Sequence, residues 1–500
     1  PPVKFLTGFQ GIDHDHCVHG ISVGPEGKLY FSVGDAGVRD LKSSDGKGPV
    51  FNSNTTDLRA GTVWRCDIDG RNLELIAHNF RNNYMAAIDS FGNVFISDND
   101  DDGNQQTRIC FVMPGGNYGY HPRGAGQTHW HEEQPGIVPK VLRTFFGSPT
   151  GMCFYEGKLL PEKYRGQMLH TDAGPRHVRC YRATPKGAGF DVEREDIVTS
   201  TDNWFRPSDV RVAPDGSVFV ADWYDPGVGG HGMGDTTRGR IFRLAPLGFK
   251  QPGAGPTKVG NAGEARTALA SPCLSTRAMA TAWLRSQAPA EVANTARPLA
   301  TGNHPDWLKA RARWALAEAG QLEPSDLDGL DRPTLAAQAA RIIRDYPKAA
   351  GLASKLPATD RGVTRETLVG LRDAEAAKAS DAILRAAASW DGADVFIAKA
   401  LAIAAGTDEK RRQAVLADFS TKLPEWNDRT AALAFELRPP GMAERLRARL
   451  AQGGLPDADS IRIVDFIAGD DEAAAGKALL DLLNPKTSPA VRARAAEASR

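Results

Sequence analysis

Neither sign of charge is in excess, for 61 Lys and Arg stand against 61 Asp and Glu. A neutral chain has no general electrostatic grip on phosphate backbones, so no nucleic acid is expected as a partner. Long apolar runs are missing as well. No stretch of about 18 uninterrupted apolar residues occurs, which leaves no transmembrane segment to place in this sequence. The six cysteines, at 17, 66, 110, 153, 180 and 273, form no Cys-x-x-Cys pair, which excludes a zinc ribbon and a Cys-x-x-Cys-His haem attachment within these residues. There is no initiating Met and no basic-then-apolar leader before Pro1-Pro2-Val3-Lys4, so the expectation is a fragment whose export signal or anchor lies outside it.

What is present divides at about residue 250. The first 250 residues hold 28 aromatics, 34 Gly and 12 Ala; the rest hold 10, 17 and 59, so the two halves have different architectures. Aromatic, glycine-rich sequence with short β-branched runs suits strands and tight turns, whereas Ala with Leu, Arg and Glu at helical spacing suits packed helix pairs. The expected domains are a β-domain over 1–247, a linker rich in Pro and Gly over 248–262 and a helical domain over 263–500.

The first half repeats. Pro25-Glu26-Gly27-Lys28-Leu29-Tyr30-Phe31-Ser32-Val33-Gly34-Asp35 returns as Phe91-Gly92-Asn93-Val94-Phe95-Ile96-Ser97-Asp98 and as Pro214-Asp215-Gly216-Ser217-Val218-Phe219-Val220-Ala221-Asp222. A degenerate copy, Glu156-Gly157-Lys158-Leu159-Leu160, sits between the last two. Turn glycines at 27, 92, 157 and 216, each followed by a strand, predict a β-propeller with about four blades visible and further blades before Pro1. In the second half the segments starting at His304, Arg332 and Ser488 each begin with a cap or Pro and continue as Ala/Arg amphipathic helices. Small Ala faces stack closely, which predicts an α-solenoid of HEAT-like repeats. The chain stops at Arg500 within such a helix, and the expectation is that the repeats continue beyond it.

Three clusters could carry chemistry. His14, His16 and His19 with Asp13 and Asp15 precede the first turn, where loops of a propeller converge on its channel. Phe80-Arg81-Asn82-Asn83 is followed by the acidic run Asp98, Asn99, Asp100, Asp101 and Asp102, hard oxygen donors of the kind Ca²⁺ takes, without EF-hand spacing. Phe205-Arg206 is followed by Asp222-Trp223-Tyr224-Asp225 and His231, an aromatic wall with polar groups. The bland alternatives are a polar rim loop, a solvated acidic turn and a Trp buried between blades.

Over about residues 10–245 the chain resembles the glucose/sorbosone dehydrogenase propellers. The resemblance is carried by His16-x7-Gly24-Pro25-Glu26-Gly27-x7-Asp35, Phe80-Arg81-Asn82, Pro114-Gly115-Gly116-Asn117-Tyr118-Gly119-Tyr120, Arg206-Pro207 and Gly239-Arg240-Ile241-Phe242-Arg243. It implies His16 as the base that deprotonates substrate, Asp35 as its orienting carboxylate, and Arg81 and Arg206 as contacts to pyrroloquinoline quinone (PQQ). His19, His231 and Trp223 are further candidates for the cofactor site. The implied mechanism takes the hydroxyl proton to the base and a hydride to the quinone, with Ca²⁺ and Arg polarising it. One departure stands out: Asp100-Asp101 occupies the place where the family has a Gly-Pro pair offering carbonyls to calcium. With its helical second half the whole chain looks like the large membrane-bound dehydrogenases of planctomycetes and verrucomicrobia. Members of that group often continue into a cytochrome c module, so haem c is an expectation only about sequence not present here.

The leading expectation is therefore a periplasmic or cell-surface oxidoreductase of a sugar or related alcohol that passes electrons to a cytochrome c module or partner. Its discriminating feature is convergence of His16, Asp35, Arg81 and Arg206 on one channel mouth. Two alternatives are a non-catalytic module binding glycan or protein, whose loops would point apart, and a Ca²⁺-dependent lactonase-type hydrolase, with the ion on Asp98, Asn99 and Asp100.

Overall fold

The turn glycines set the architecture. Gly27, Gly92 and Gly216 adopt φ of +76°, +81° and +84°, a conformation that a side chain would strain, and each opens a strand of the first half. The computed structural model describes residues 4–11, 16–99, 107–121, 130–228, 237–250, 255–425, 427–468 and 473–499. Its strands make four sheets. The first comprises β1 (Val18–Val23), β2 (Leu29–Val33), β3 (Gly61–Cys66), β4 (Glu74–Phe80) and the short β8 (Gly116–Asn117). The second comprises β5 (Asn82–Ile88), β6 (Val94–Asn99), β7 (Thr107–Phe111) and β9 (Leu142–Arg143). The third runs β10 (Pro149–Tyr155), β11 (Gln167–Asp172), β12 (His177–Lys186), β13 (Gly189–Thr199). The fourth has β14 (Pro207–Val212), β15 (Val218–Asp222) and β16 (Arg240–Leu244). Pairing is antiparallel throughout except between β4 and β8.

The first strands β1, β5, β10 and β14 neighbour one another in that order, which makes the series propeller-like. Apolar residues fill the spaces between sheets. Leu169, Val178 and Cys180 of the third meet Val210, Val212, Val218 and Val220 of the fourth in one buried cluster. The third turn glycine is Gly166, at φ +76°, and not Gly157. Tyr155 ends β10, and a 3-10 turn at Glu162–Tyr164 lengthens the connection to β11, so the repeat resumes nine residues later than the sequence copy suggests.

Helices follow: α1 (Ala262–Leu269), α2 (Leu274–Arg285), α3 (Pro289–Thr301), α4 (Asp306–Glu318), α5 (Pro333–Asp345) and α6 (Arg361–Gly370). Consecutive ones pair, α1 with α2, α3 with α4 and α5 with α6. They belong with the sheets: Pro1–Gly370 is one compact unit and Leu371–Arg500 a second. The change of composition at 248–262 therefore marks where strands give way to helices, while the compact units divide at 370/371. The reason is a set of buried charges between helix and turn. Arg311 of α4 donates to Glu156 at 2.8 Å and to Ser90 Oγ at 2.7 Å, and Arg277 of α2 lies 3.2 Å from the same carboxylate. Arg285 donates to the carbonyls of Glu26 and Gly27, and Arg341 to that of Phe91. Burial pushes the Glu156 carboxyl up, but the two guanidiniums outweigh it and hold it at about 2.

The second unit is all-helical among its described residues, from α7 (Ala376–Ser389) to α15 (Pro489–Ala498), around Leu401, Phe419 and Leu433. No helix among the described residues is long and apolar enough to cross a membrane.

Candidate active site

Three of the four sheets carry the same buried device. Asp98, Asp172 and Asp222 each stand six residues after the turn glycine of their sheet, at the end of its second strand. One oxygen of each accepts a main-chain N–H from the segment leading into the first strand: Arg81 N at 2.9 Å, Ser148 N at 2.7 Å and Arg206 N at 2.8 Å. The other oxygen takes an Arg from the third strand, Arg108, Arg179 or Arg240. Each Arg is shared with a second carboxylate, Glu132, Asp196 or Asp202 respectively. A buried carboxylate is tolerated only when its lone pairs are met, and here they are. Desolvation still raises Asp98 to about 6 against the pull of Arg108.

The first sheet breaks the rule. Six residues after Gly27 comes Val33, fully buried, and opposite it on β3 stands Thr62, where the second and fourth sheets have Arg108 and Arg240. The carboxylate comes two residues later, on Asp35. Instead of bracing its own sheet, Asp35 Oδ1 lies 2.5 Å from His16 Nδ1, and its Oδ2 lies 3.9 Å from Arg81 Nε. His16 and Asp35 side chains are 20% and 19% exposed and that of Arg81 11%, so the pair is partly desolvated yet reachable. Gly34 makes the approach feasible. A Cβ there would stand 2.7 Å from the His16 carbonyl and 2.7 Å from Asn82 Oδ1. With Nδ1–H donated to the carboxylate, Nε2 is left as the basic nitrogen.

His16 enters β1 and Asp35 leaves β2, so both lie at the strand ends opposite the turn that holds Gly27. Since α2, α4 and α5 cover the turns of the first two sheets, the site lies at the strand ends away from those helices.

The other expected residues are placed as follows. Arg206 does not join the group through any contact given by its guanidinium, which donates to the carbonyls of Pro226 at 3.0 Å and Gly227 at 2.8 Å and, longer, to Ala173 and Phe205. His19 lies on β1, stacked on Tyr84 at 4.5 Å, with Nδ1 beside Ser32 Oγ and the Tyr84 carbonyl. Trp223 follows β15 and is 49% exposed. Asp98 is an internal brace whose oxygens receive Arg81 N, Arg108 and Trp130 Nε1. Asn99 ends β6 and accepts from Thr107 Oγ1 at 3.3 Å. Asp100, Asp101, Asp102 and His231 lie outside the described residues. Among the described residues no group of three or more His, Cys, Asp or Glu is placed to hold a metal ion. Sequence reasoning missed the braces themselves. Their signal was there: an Asp six residues after a positive-φ glycine, with an Arg on the next strand.

A family model described as "Domain of unknown function (DUF7133)" matches residues 3–231. No curated protein matches the chain. Among solved structures, it is similar to a protein of Thermus thermophilus described as a putative oxidoreductase (glucose dehydrogenase), at 19% identity and a TM-score of 0.32 over 45% of this chain and 65% of that one. It is similar also to the PQQ-bound form of an aldose sugar dehydrogenase from Streptomyces coelicolor, at 19% and 0.31 over 46% and 62%. A third structure, a glucose dehydrogenase, gives 15% and 0.25 over 44% of this chain and 84% of that one. The chain thus spans less than two thirds of the length of the first two.

Proposed function

We propose that this chain is the propeller and HEAT-like part of an oxidoreductase that oxidises a sugar or related alcohol, with His16 as the base. The observation that carries the reading is the His16–Asp35 pair with Arg81 behind it, formed where the fold withholds its usual brace. His16 Nε2 takes the proton of the substrate hydroxyl. Asp35 holds the ring in the tautomer that leaves that nitrogen unprotonated and stabilises the imidazolium that forms. Arg81 keeps a positive charge beside the pair, suited to an anionic acceptor. When bound, PQQ would supply the two-electron acceptor for the hydride, and Arg81 is the described residue that would face it. The donor set for calcium fits less well: Asp98 is occupied on both oxygens by protein N–H groups, which also weighs against a lactonase-type ion site on that residue. A binding module without chemistry would not need the partly desolvated pair. Electrons would pass to a cytochrome c module or partner, in a periplasmic or cell-surface setting.

The test is reconstitution with PQQ and Ca²⁺, following quinone binding by absorbance and dye reduction with a panel of aldoses and alcohols. Binding with turnover that is lost in His16→Gln supports the reading. Absence of quinone binding, or turnover unchanged in His16→Gln, overturns it.

A further inference from the structure

Residues of alternating charge lead from beside the second sheet to the candidate site, joined at one step by the Arg81 main chain. Lys140 pairs with Glu132, Glu132 with Arg108 at 3.1 Å, and Arg108 with Asp98 at 3.0 Å. Asp98 holds the Arg81 main chain at 2.9 Å, Arg81 Nε stands 3.9 Å from Asp35, and Asp35 meets His16 at 2.5 Å. Arg108 and Asp98 are fully buried, and the ring of Trp130 lies 4.4 Å from the guanidinium of Arg108 while its N–H donates to Asp98. We propose that Asp98 is a positioning residue for the His16–Asp35 pair, acting through Arg81.

Comparison with the other two braces separates this from plain scaffolding. Asp172 holds the backbone of Ser148, which brings no charge, and Asp222 holds that of Arg206, whose guanidinium is committed to loop carbonyls. Only in the second sheet, among the described residues, does the braced segment carry a side chain that reaches Asp35. The consequence is electrostatic. A guanidinium fixed beside Asp35 competes with the imidazolium for the same carboxylate, so the firmness of the Arg81 backbone sets how readily His16 takes a proton. Asp98→Asn keeps an acceptor for the Arg81 N–H but turns an amide N–H2 toward Arg108 and Trp130, both donors, and so loosens the brace.

The inference rests on His16 being the base, and its test is read without quinone or turnover. The His16 ring is titrated by NMR in histidine-labelled protein, with His16→Gln for assignment, in the natural chain and in Asp98→Asn, Arg81→Gln, the double variant and Asp222→Asn. We expect Asp98→Asn to raise the His16 midpoint by about half a pH unit or more, this shift to vanish in the Arg81→Gln background, and Asp222→Asn, the same brace in another sheet, to leave the midpoint where it was. No shift in Asp98→Asn, an equal shift without Arg81, or an equal shift from Asp222→Asn overturns the proposal. Should Asp98→Asn not fold, Arg108→Lys weakens the same brace from the other side and must move the midpoint in the same direction. Failure of the base reading appears separately, as dye reduction that survives His16→Gln.

Discussion

Val33 stands in the first sheet where Asp98 stands in the second: each comes six residues after its turn glycine, at the end of the second strand. The displaced carboxylate, on Asp35, is thereby released from its own sheet to face His16.

Replacing His16 or Asp35 should therefore harm chemistry and spare the fold. His16→Gln and Asp35→Asn are expected to lower kcat/KM by about 10²–10⁴-fold in the reconstituted dye assay, with Tm close to that of the natural chain. A drop in Tm large enough to explain the lost activity would refute the assignment.

Gly34→Ala tests the geometry without touching either reacting group. The added methyl meets the His16 carbonyl and Asn82 Oδ1, both at 2.7 Å, so one must move. Activity should fall about tenfold or more through separation of the pair, with substrate KM changed less than kcat.

Val33→Asp offers the converse. A carboxylate placed there is buried opposite Thr62, where the second and fourth sheets have an Arg. It should destabilise the chain by about 3 kcal/mol or more, measured by urea unfolding. Pairing it with Thr62→Arg should recover part of the loss.

Acid sensitivity should come from the sheet turns and from β4. Glu156 is held at about 2 against an ordinary 4.5, so its contribution to stability is present above that ordinary value and is lost as pH falls toward 2. Burial lowers His78 from 6.5 to about 4, so its contribution is complete above 6.5 and is lost on descent to 4. Asp89 and Asp98, both raised from 3.8 to about 6 by burial, work the other way: their contribution is fully present below 3.8 and is lost as pH rises from there through 6. Urea midpoints between pH 3 and 8 should show a flatter lower acid limb in Glu156→Gln. An unchanged slope would contradict this.

The interface charges give a further expectation. Removing Glu156 alone strands Arg311 and Arg277 in the interior and should cost about 3–5 kcal/mol at neutral pH. Replacing Arg311 by Met in the same chain should return part of it.

The propeller-like series was legible because the turn glycines at 27, 92 and 216 and the strands after them lie close together in sequence. The third turn was mistaken for Gly157 because a loop insertion after Tyr155 displaced the repeat, which local spacing does not report. His16, Asp35 and Arg81 were legible from their order and come together. Composition places Asp98 among the ion-ligand candidates without showing which way its carboxylate faces, and the partners that decide this, Arg108 and Trp130, lie 10 and 32 residues away. The expectation of Arg206 as a cofactor contact comes from the resemblance, which does not report that its guanidinium donates to the carbonyls of a loop some 20 residues on. Composition also divides the chain where strands end, whereas ion pairs such as Glu156–Arg311 tie the first helices to the sheets and the compact units divide after α6.

Those helix-to-turn ion pairs bear on how the molecule can be dissected. Cutting after β16 would leave Glu156 and the Ser90 turn stripped of their guanidinium caps and open a wet, charged scar across the blades. The natural scissor line is the one after Gly370, and shuffling of the β-half among proteins would have to carry six helices along as baggage.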